Sequence, residues 1–443
     1  MKQNIFSSIV LAAGSGSRMR SSTPKVLHKV GGETLIGHVL TTLKKAGAES
    51  ICLVTSPDMG LVRNSLPSID HAIQETPLGT AHAVLAAEKK ISSYKNNILV
   101  LCGDAPLITE ETIKSVLKKG QDHDVVILGM HTSSKNSYGR IITDEKGSVE
   151  KTIEVRDCGE EELKITLCNS GILLVRHDIA LPLLKKINNA NTKKEFYLTD
   201  LVKIARKEGF SVGVVEGDEE ELQGINTQAE LAEAEEAFQK RKKKELLENG
   251  VTFMDPKTVY LSHDTQISSN VLIEPHVFIG AGVILHSGVH IRAFSYLEGV
   301  VVHENSVIGP FARIRPETVV GEKCKIGNFV EIKKTTLGEN TKVSHLTYLG
   351  DAILGSSVNV GAGTITCNYD GYLKHKTVIE DHVFVGSNTA LVAPVTLEKG
   401  SMIGAGSVIT KDVKQGEIAL SRSSQKNIRD GSERFHSKNS KKK

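Results

Sequence analysis

From about residue 251 to 410 an aliphatic residue recurs at every sixth position, and few folds are compatible with that stride. The positions are Ile273, Ile279, Leu285, Ile291 and Leu297, then Val302, Ile308, Ile314, Val320, Ile326 and Ile332. After irregular spacing they resume at Ile379, Val385, Leu391, Leu397, Ile403 and Ile409. Neither a 3.6-residue helical period nor the two-residue period of a half-buried strand singles out every sixth residue. A parallel β-helix does, because three hexapeptides close one triangular coil. Its aliphatics stack inward, and small residues are expected to turn the corners. Ile279-Gly280, Ile308-Gly309, Ile326-Gly327, Val385-Gly386 and Ile403-Gly404 fit that pattern. So do 39 glycines beside no tryptophan and 4% aromatic residues, which suit many tight corners better than a sandwich or helical core. One solenoid is expected, with the polar stretch Cys367–Lys376 leaving it as a loop.

Residues 1 to 226 follow another rule. Strand-like runs at Ser8–Ala13, Ser50–Thr55, Asn97–Cys102, Asp124–Met130 and Ser211–Val215 alternate with helical patterns at Leu35–Ala46, Thr80–Ile91, Thr109–Lys119 and Asp200–Glu208. Such alternation predicts an open, mostly parallel, Rossmann-like α/β sheet, in which ligands sit beyond the carboxyl ends of strands. Residues 227–250 read as a connecting helix, opened by the capping box Thr227-Gln228-Ala229-Glu230 and stopped by Asn249-Gly250. Lys240–Lys244 reads as its solvated face and the basic tail from Ser421 as a solvated end, with polyanion contact the alternative. At 443 residues the chain is too long for one core. The expected domains are therefore 1–226, the linker 227–250 and 251–443.

Composition excludes several classes. A net charge of +3 gives no global field for nucleic acid. No apolar run approaches the roughly 18 residues of a membrane span, and no signal-peptide core follows Met1, so a cytoplasmic protein is expected. The six cysteines contain no C-x-x-C pair and read as reduced structural thiols.

Two strand ends carry chemistry. Ile9–Ala13 runs into Gly14-Ser15-Gly16-Ser17-Arg18, a loop whose backbone can approach a phosphate closely. It is neither a Walker loop nor a dinucleotide fingerprint. Arg18 and Lys25 add cations suited to a triphosphate. Leu101-Cys102-Gly103-Asp104 ends the second strand, where Asp104 reads equally as a Mg²⁺ ligand or a turn cap. In the second half, Arg315, Glu331, Lys333, His345, Tyr348 and Asn359 lie about one coil of eighteen residues apart or less, so stacking brings them towards one groove. Cations Arg315, Lys333 and Lys376 suit a sugar phosphate, and a neutral imidazole suits taking a proton from an amine that attacks a thioester. A solvated rim is the alternative reading.

With these residues in view, the first half resembles the sugar-1-phosphate nucleotidyltransferases through LAAGSGSRM (11–19), TPKVLH (23–28), QETPLGTAHA (74–83), CGDAPL (102–107), YGRI (138–141), EFYLTD (195–200) and GIN (224–226). RIRPE (313–317), HLTYLGDA (345–352) and NVGAGTITCNYDG (359–371) extend the resemblance to the bacterial family that joins N-acetylglucosamine-1-phosphate uridylyltransferase to glucosamine-1-phosphate N-acetyltransferase. That resemblance implies a left-handed β-helix, a homotrimer and a cytoplasmic enzyme supplying UDP-N-acetylglucosamine for cell-wall synthesis. It implies UTP and acetyl-CoA as co-substrates, and Mg²⁺ held by Asp104 and Asn226. Leu11, Ala12, Ala13, Gly14, Arg18 and Lys25 would hold the nucleotide phosphates. Gln74, Gly79 and Thr80 would read uracil, and Cys102 and Gly103 would border the nucleotide. Gly139, Glu154 and Asn169 would hold N-acetylglucosamine.

In the second half the resemblance implies that His345 accepts the proton and that Arg315, Lys333, Tyr348, Asn359 and Lys376 bind the amino-sugar phosphate. It assigns Ala362, Asn368, Tyr369, Ser387, Ala405 and Arg422 to acetyl-CoA. The chain departs from the family pattern at Ser17, at Ala81, expected to tighten the uracil pocket, and at Glu317, expected to shift the loop carrying Arg315. A nucleotidyltransferase with a purely structural β-helix is the alternative function.

Overall fold

The computed structural model describes residues 5–132, 136–144 and 148–440. The expectation of a frayed Lys441–Lys443 falls outside them. The chain divides into two compact units, Met1–Arg241 and Lys242–Lys443.

Among the described residues of the first unit nine strands form the sheet: seven follow the order Val212–Gly217, Val125–His131, Leu167–Val175, Ile98–Cys102, Phe6–Leu11, Ala48–Thr55 and Asp70–Ile73, and the hairpin Arg140–Thr143 and Val149–Ile153 joins beside Leu167–Val175. Six of the seven run parallel, as expected; Leu167–Val175 runs antiparallel to both neighbours. The sequence reading missed that strand. Its register breaks between Asn169 and Ile172, which spoils the alternation a strand pattern needs. The expected helix Thr80–Ile91 is two pieces, Thr80–Ala86 and Glu88–Ile91. Apolar residues on both faces of the sheet, among them Ile9, Val100 and Ile127 on one side and Val10, Leu101 and Leu128 on the other, are sealed by helices.

The helix Gln228–Glu248 opens with the expected capping box: Glu230 N–H donates to Thr227 Oγ1, and Thr227 N–H donates to Glu230 Oε2. Its basic run is not simply solvated. Arg241 Nη1 donates to the Leu107 carbonyl at 2.7 Å, and Lys243 is buried. Ala234 and Ala237 pack with Val30, Leu35 and Leu107 in the first unit.

The second unit is a parallel β-helix. Pairs Ile273↔Ile291, Ile291↔Ile308, Ile308↔Ile326, Ile326↔Val343, Val343↔Val360, Val360↔Val385 and Val385↔Ile403 stack one coil on the next. Nearly all of these side chains are fully buried in one continuous core. Each contributes about 1.5–3 kcal/mol relative to exposure. Glycine follows many inward aliphatics because of coil spacing rather than turning: a Cβ on Gly327 would meet the Ser344 carbonyl oxygen at 1.9 Å. Many corners are instead turned by large residues in the left-handed region, including Phe294, Phe311, Phe329, Leu346 and Glu317. Gly282, Gly288, Gly299, Gly309, Gly363 and Gly406 take positive φ as well, so the expectation that small residues turn the corners holds for some corners and not for others. The tail forms a short exposed helix, Gly431–Ser440.

Candidate functional site

The first site opens at the carboxyl ends of Phe6–Leu11 and Ile98–Cys102, paired in parallel register from Ser7↔Ile98 to Leu11↔Cys102. Gly103 N–H donates to the Leu11 carbonyl and fixes where both loops leave the sheet. Between them lies a cavity of about 300 Å³, lined by Leu11–Gly14, Lys25, Gln74, Gly79, Thr80, Cys102, Asp104 and Glu195. A second lobe of about 90 Å³ shares Leu11, Thr80 and Cys102 and is walled by Glu154, Asn169 and Thr199. Most residues assigned from resemblance to nucleotide and to sugar thus line two adjoining lobes, while Gly103 and Gly139 line neither. Burial pushes the Cys102 thiol up to about 12, so it serves as wall rather than nucleophile.

Local geometry explains why these residues stand there. Gly79 has φ +117°, and a Cβ on it would meet the Phe196 carbonyl oxygen at 2.6 Å. Gln74 is buried and donates from Nε2 to the Gly79 carbonyl at 3.1 Å. Thr80 Oγ1 accepts from Leu198 N–H, tying in the segment 195–200. Gly139 is pinned by Asn169 N–H donating to its carbonyl at 2.8 Å. Burial raises the Glu154 carboxyl above its ordinary range, and Thr199 Oγ1 donates to it at 3.1 Å. Ala81 points into the core at zero exposure, and the cavity wall runs through Thr80 and Ala83 instead. It does not tighten the pocket. Arg18 stands exposed on the turn Ser17–Met19 and does not line the cavity.

Asp104 and Asn226 converge on one cation. Lys25 Nζ contacts Asp104 Oδ2 and donates to Asn226 Oδ1 at 3.0 Å. Asn226 is rigidly held, since its N–H donates to Glu230 Oε2 of the capping box and its Nδ2 donates to the Gly224 carbonyl.

The second site lies on the β-helix. Ladder pairs place Glu331 between Arg313 and Tyr348, and Lys333 beside Gly350. Arg315 Nη1 donates to Glu331 Oε1 at 2.8 Å. A Cβ on Gly350 would meet the Tyr348 hydroxyl oxygen at 2.4 Å, so glycine lets that phenol lie flat over the coil. Lys333 is held below its ordinary pKa, first by its contact with Lys374 and then by Arg315. Three crowded cations call for an anion. The cation brought to Lys333 is Lys374; Lys376 stands exposed two residues on. The difference comes from Asp370, whose carboxylate accepts from Tyr372 N–H, Leu373 N–H and His375, folding the insertion into a tight turn.

His345 is exposed, and its Nδ1 lies 2.7 Å from Asn328 Oδ1 on the preceding coil. An amide oxygen only accepts, so Nδ1 carries the proton and Nε2 is left as the basic atom. Counting on from Val343↔Val360, Val360↔Val385 and Val385↔Ile403 puts His345, Ala362, Ser387 and Ala405 at the same step of four coils. Arg422 Nη1 donates to the Ala405 carbonyl at 2.7 Å and continues that line. Asn368 donates to Asp351 Oδ2, Tyr369 is exposed at the start of the insertion, and Asn359 lies on the strand paired with Lys342. The sequence reading missed Asn328, Lys374, Thr199 and Glu195. Signals were there for three of them: Glu195 and Thr199 lie in the motif EFYLTD (195–200), and Asn328 lies one coil, 17 residues, before His345.

Removing the amide of Asn328 frees the imidazole to take either tautomer. Asn328→Ala is therefore expected to lower about tenfold the rate of any reaction in which His345 accepts a proton and to alter its pH profile, leaving the substrate KM within about twofold. An unchanged pH–rate profile would contradict this positioning role.

Glu317 adopts φ +63°, a backbone that glycine takes without strain, with Lys334 Nζ 3.5 Å from its carboxylate. Arg315 N–H donates to the Ile332 carbonyl at 2.8 Å, which holds Arg315 in the ladder of stacked coils. The left-handed backbone costs about 1–2 kcal/mol, partly offset by the ion pair. Glu317→Gly should therefore leave the KM for the amino-sugar phosphate unchanged within about twofold. A several-fold fall would show that Glu317 displaces Arg315.

Residues 8–140 match the family described as MobA-like NTP transferase domain, and residues 296–395 match the GMPPB C-terminal domain. The chain is 46% identical over 423 residues to the Bifunctional protein GlmU of Bartonella quintana, covering 94% of each. It is 43% identical over 444 residues to that of Zymomonas mobilis, covering 99% of each. The Bifunctional protein GlmU of Clostridium novyi is 42% identical over 445 residues, covering 96% of this chain and 97% of that one.

Proposed function

The chain belongs to the family of bifunctional GlmU proteins, and from that premise we propose how its residues divide the work. It is a bifunctional transferase making UDP-N-acetylglucosamine, by acetyl transfer to glucosamine-1-phosphate and then uridylyl transfer to N-acetylglucosamine-1-phosphate.

Acetyl transfer belongs to the β-helix. Arg315, Lys333 and Lys374 take the sugar phosphate, Tyr348 and Asn359 the sugar, with Lys376 as a further cation on the same turn. The free amine attacks the thioester carbonyl, His345 Nε2 takes the amine proton, and the carbon–sulfur bond breaks to release the CoA thiolate. Acetyl-CoA lies along Ala362, Ser387, Ala405 and Arg422 with Asn368 and Tyr369 beside it, which brings its thioester towards His345. The observation that carries this reading is the Asn328–His345 pair standing at the head of that line.

Uridylyl transfer belongs to the first unit. A sugar-phosphate oxygen attacks the α-phosphorus of UTP, and pyrophosphate leaves. Leu11–Gly14 and Lys25 hold phosphates, with Arg18 reaching in from outside; Gln74, Gly79 and Thr80 hold uracil; Gly139, Glu154 and Asn169 hold the sugar, and Cys102 and Gly103 close the floor. Asp104 and Asn226 fit Mg²⁺, which favours one or two hard protein oxygens together with phosphate. That their oxygens already converge on an ammonium supports the fit. When bound, Mg²⁺ neutralises phosphate charge.

A homotrimer is proposed with it. The exposed stacked rings Phe294, Phe311 and Phe329, with Leu346 beyond them, form an apolar ridge that further copies would cover. Among the described residues no helix is long and apolar enough to cross a membrane, and a cytoplasmic setting is proposed from the family. The test is a mass-spectrometric assay with glucosamine-1-phosphate, acetyl-CoA, UTP and Mg²⁺. UDP-N-acetylglucosamine is the expected product. Consumption of UTP only when the acetylated sugar is added would favour a structural β-helix instead.

A further inference from the structure

In the first unit, the ammonium of Lys25 touches Asp104 Oδ2 and lies 3.0 Å from Asn226 Oδ1. The same lysine lines the phosphate cavity with Ala12, Ala13 and Gly14. Both partners of the ion pair are largely shielded, with 14% and 16% of their side chains exposed. Asp104 and Lys25 are thus each other's counter-charge, and leaving either one alone in so shielded a place is costly.

We propose that Lys25 occupies the divalent-cation position of the nucleotide-free protein and is exchanged for the metal when phosphates arrive. The proposal rests on reading Asp104 and Asn226 as the metal site. Two oxygens cannot ligate a divalent ion while an ammonium stands between them, because like charges repel strongly at such distances. The metal must therefore expel Lys25, and the expelled ammonium needs an anion. The triphosphate supplies one in the same cavity, a side-chain swing away. One positive charge then does two jobs in turn: it neutralises Asp104 in the free protein and the phosphates in the complex.

Two consequences follow from linkage. Metal and nucleotide bind with positive coupling, since each removes an obstacle to the other. Metal affinity in the absence of nucleotide is reduced by the fraction of protein in which Lys25 is engaged; with nine-tenths engaged, the reduction is about tenfold.

The experiment titrates Mn²⁺, read by electron paramagnetic resonance, into the full chain without nucleotide, for wild type, Lys25→Met and Asp104→Asn. Lys25→Met is expected to bind Mn²⁺ about tenfold more tightly than wild type while turning over UTP more slowly, and Asp104→Asn is expected to lose the site. Equal or weaker binding by Lys25→Met, with Asp104→Asn still defective, would overturn the exchange and leave the metal site standing. Undiminished binding by Asp104→Asn would overturn the metal assignment itself. A second measurement needs no variant. Acetylation of Lys25 by acetic anhydride, mapped by peptide mass spectrometry, should quicken when Mg²⁺ alone is added to wild type; an unaltered rate contradicts the exchange.

Discussion

His345→Ala is expected to reduce acetyl transfer from acetyl-CoA by about 10²- to 10⁴-fold, the usual contribution of a positioned general base, while uridylyl transfer proceeds at the wild-type rate. The size of the effect follows from the surroundings of the ring. Asn328 Oδ1 holds Nδ1 in its protonated form at 2.7 Å, so Nε2 is the atom free to accept a proton. Among the described residues His345 is the imidazole at the step that continues into Ala362, Ser387 and Ala405, and His375 is engaged by Asp370. The exposed position of His345 means that its loss leaves the aliphatic stack untouched. Thiol release from acetyl-CoA, monitored beside pyrophosphate release from UTP, separates the two activities. A parallel fall in both would show that the substitution damages the protein rather than the chemistry.

Asp104→Ala is the mirror image. Uridylyl transfer is expected to fall by about 10³-fold or more, since charge neutralisation is most of what phosphoryl transfer needs from its protein. Acetyl transfer should be unaffected. The main chain gives no reason for wider damage: the Asp104 carbonyl keeps its bond from Ile225 N–H, and Gly103 keeps its bond to Leu11. What is lost is the carboxylate that faces Asn226 across Lys25. Pyrophosphate release at saturating Mg²⁺ reads the effect. Activity within tenfold of wild type would contradict the role given to Asp104.

The architecture was legible where geometry repeats. A stride of six is written into the β-helix because each coil must put an aliphatic residue above the last, as Ile308, Ile326 and Val343 do. The corners were not legible, because a left-handed backbone leaves no pattern when Phe311 or Lys323 adopts it in place of glycine. The strand Leu167–Val175 escaped notice because its irregular register interrupts alternation at the point where Asn169 lines the smaller lobe.

The sites divide the same way. Motifs at strand ends led directly to Gly14, Cys102 and Asp104, and the family resemblance led to Gln74; all four line one cavity. Charge and the family resemblance pointed to Lys376, and the turn that Asp370 folds brings Lys374 to Lys333. Arg18 reads as a phosphate cation in the sequence, yet the turn at Ser17–Met19 leaves it outside the cavity wall. Side-chain direction at turns depends on hydrogen bonds that residue spacing does not encode.

The central claim is that one chain carries two independent transferase sites joined by a free intermediate. The most direct test mixes His345→Ala with Asp104→Ala in the presence of glucosamine-1-phosphate, acetyl-CoA, UTP and Mg²⁺. Neither variant alone should make UDP-N-acetylglucosamine, and the mixture should, because acetylated sugar phosphate made by one protein is consumed by the other. A mixture as inactive as its components would contradict the account.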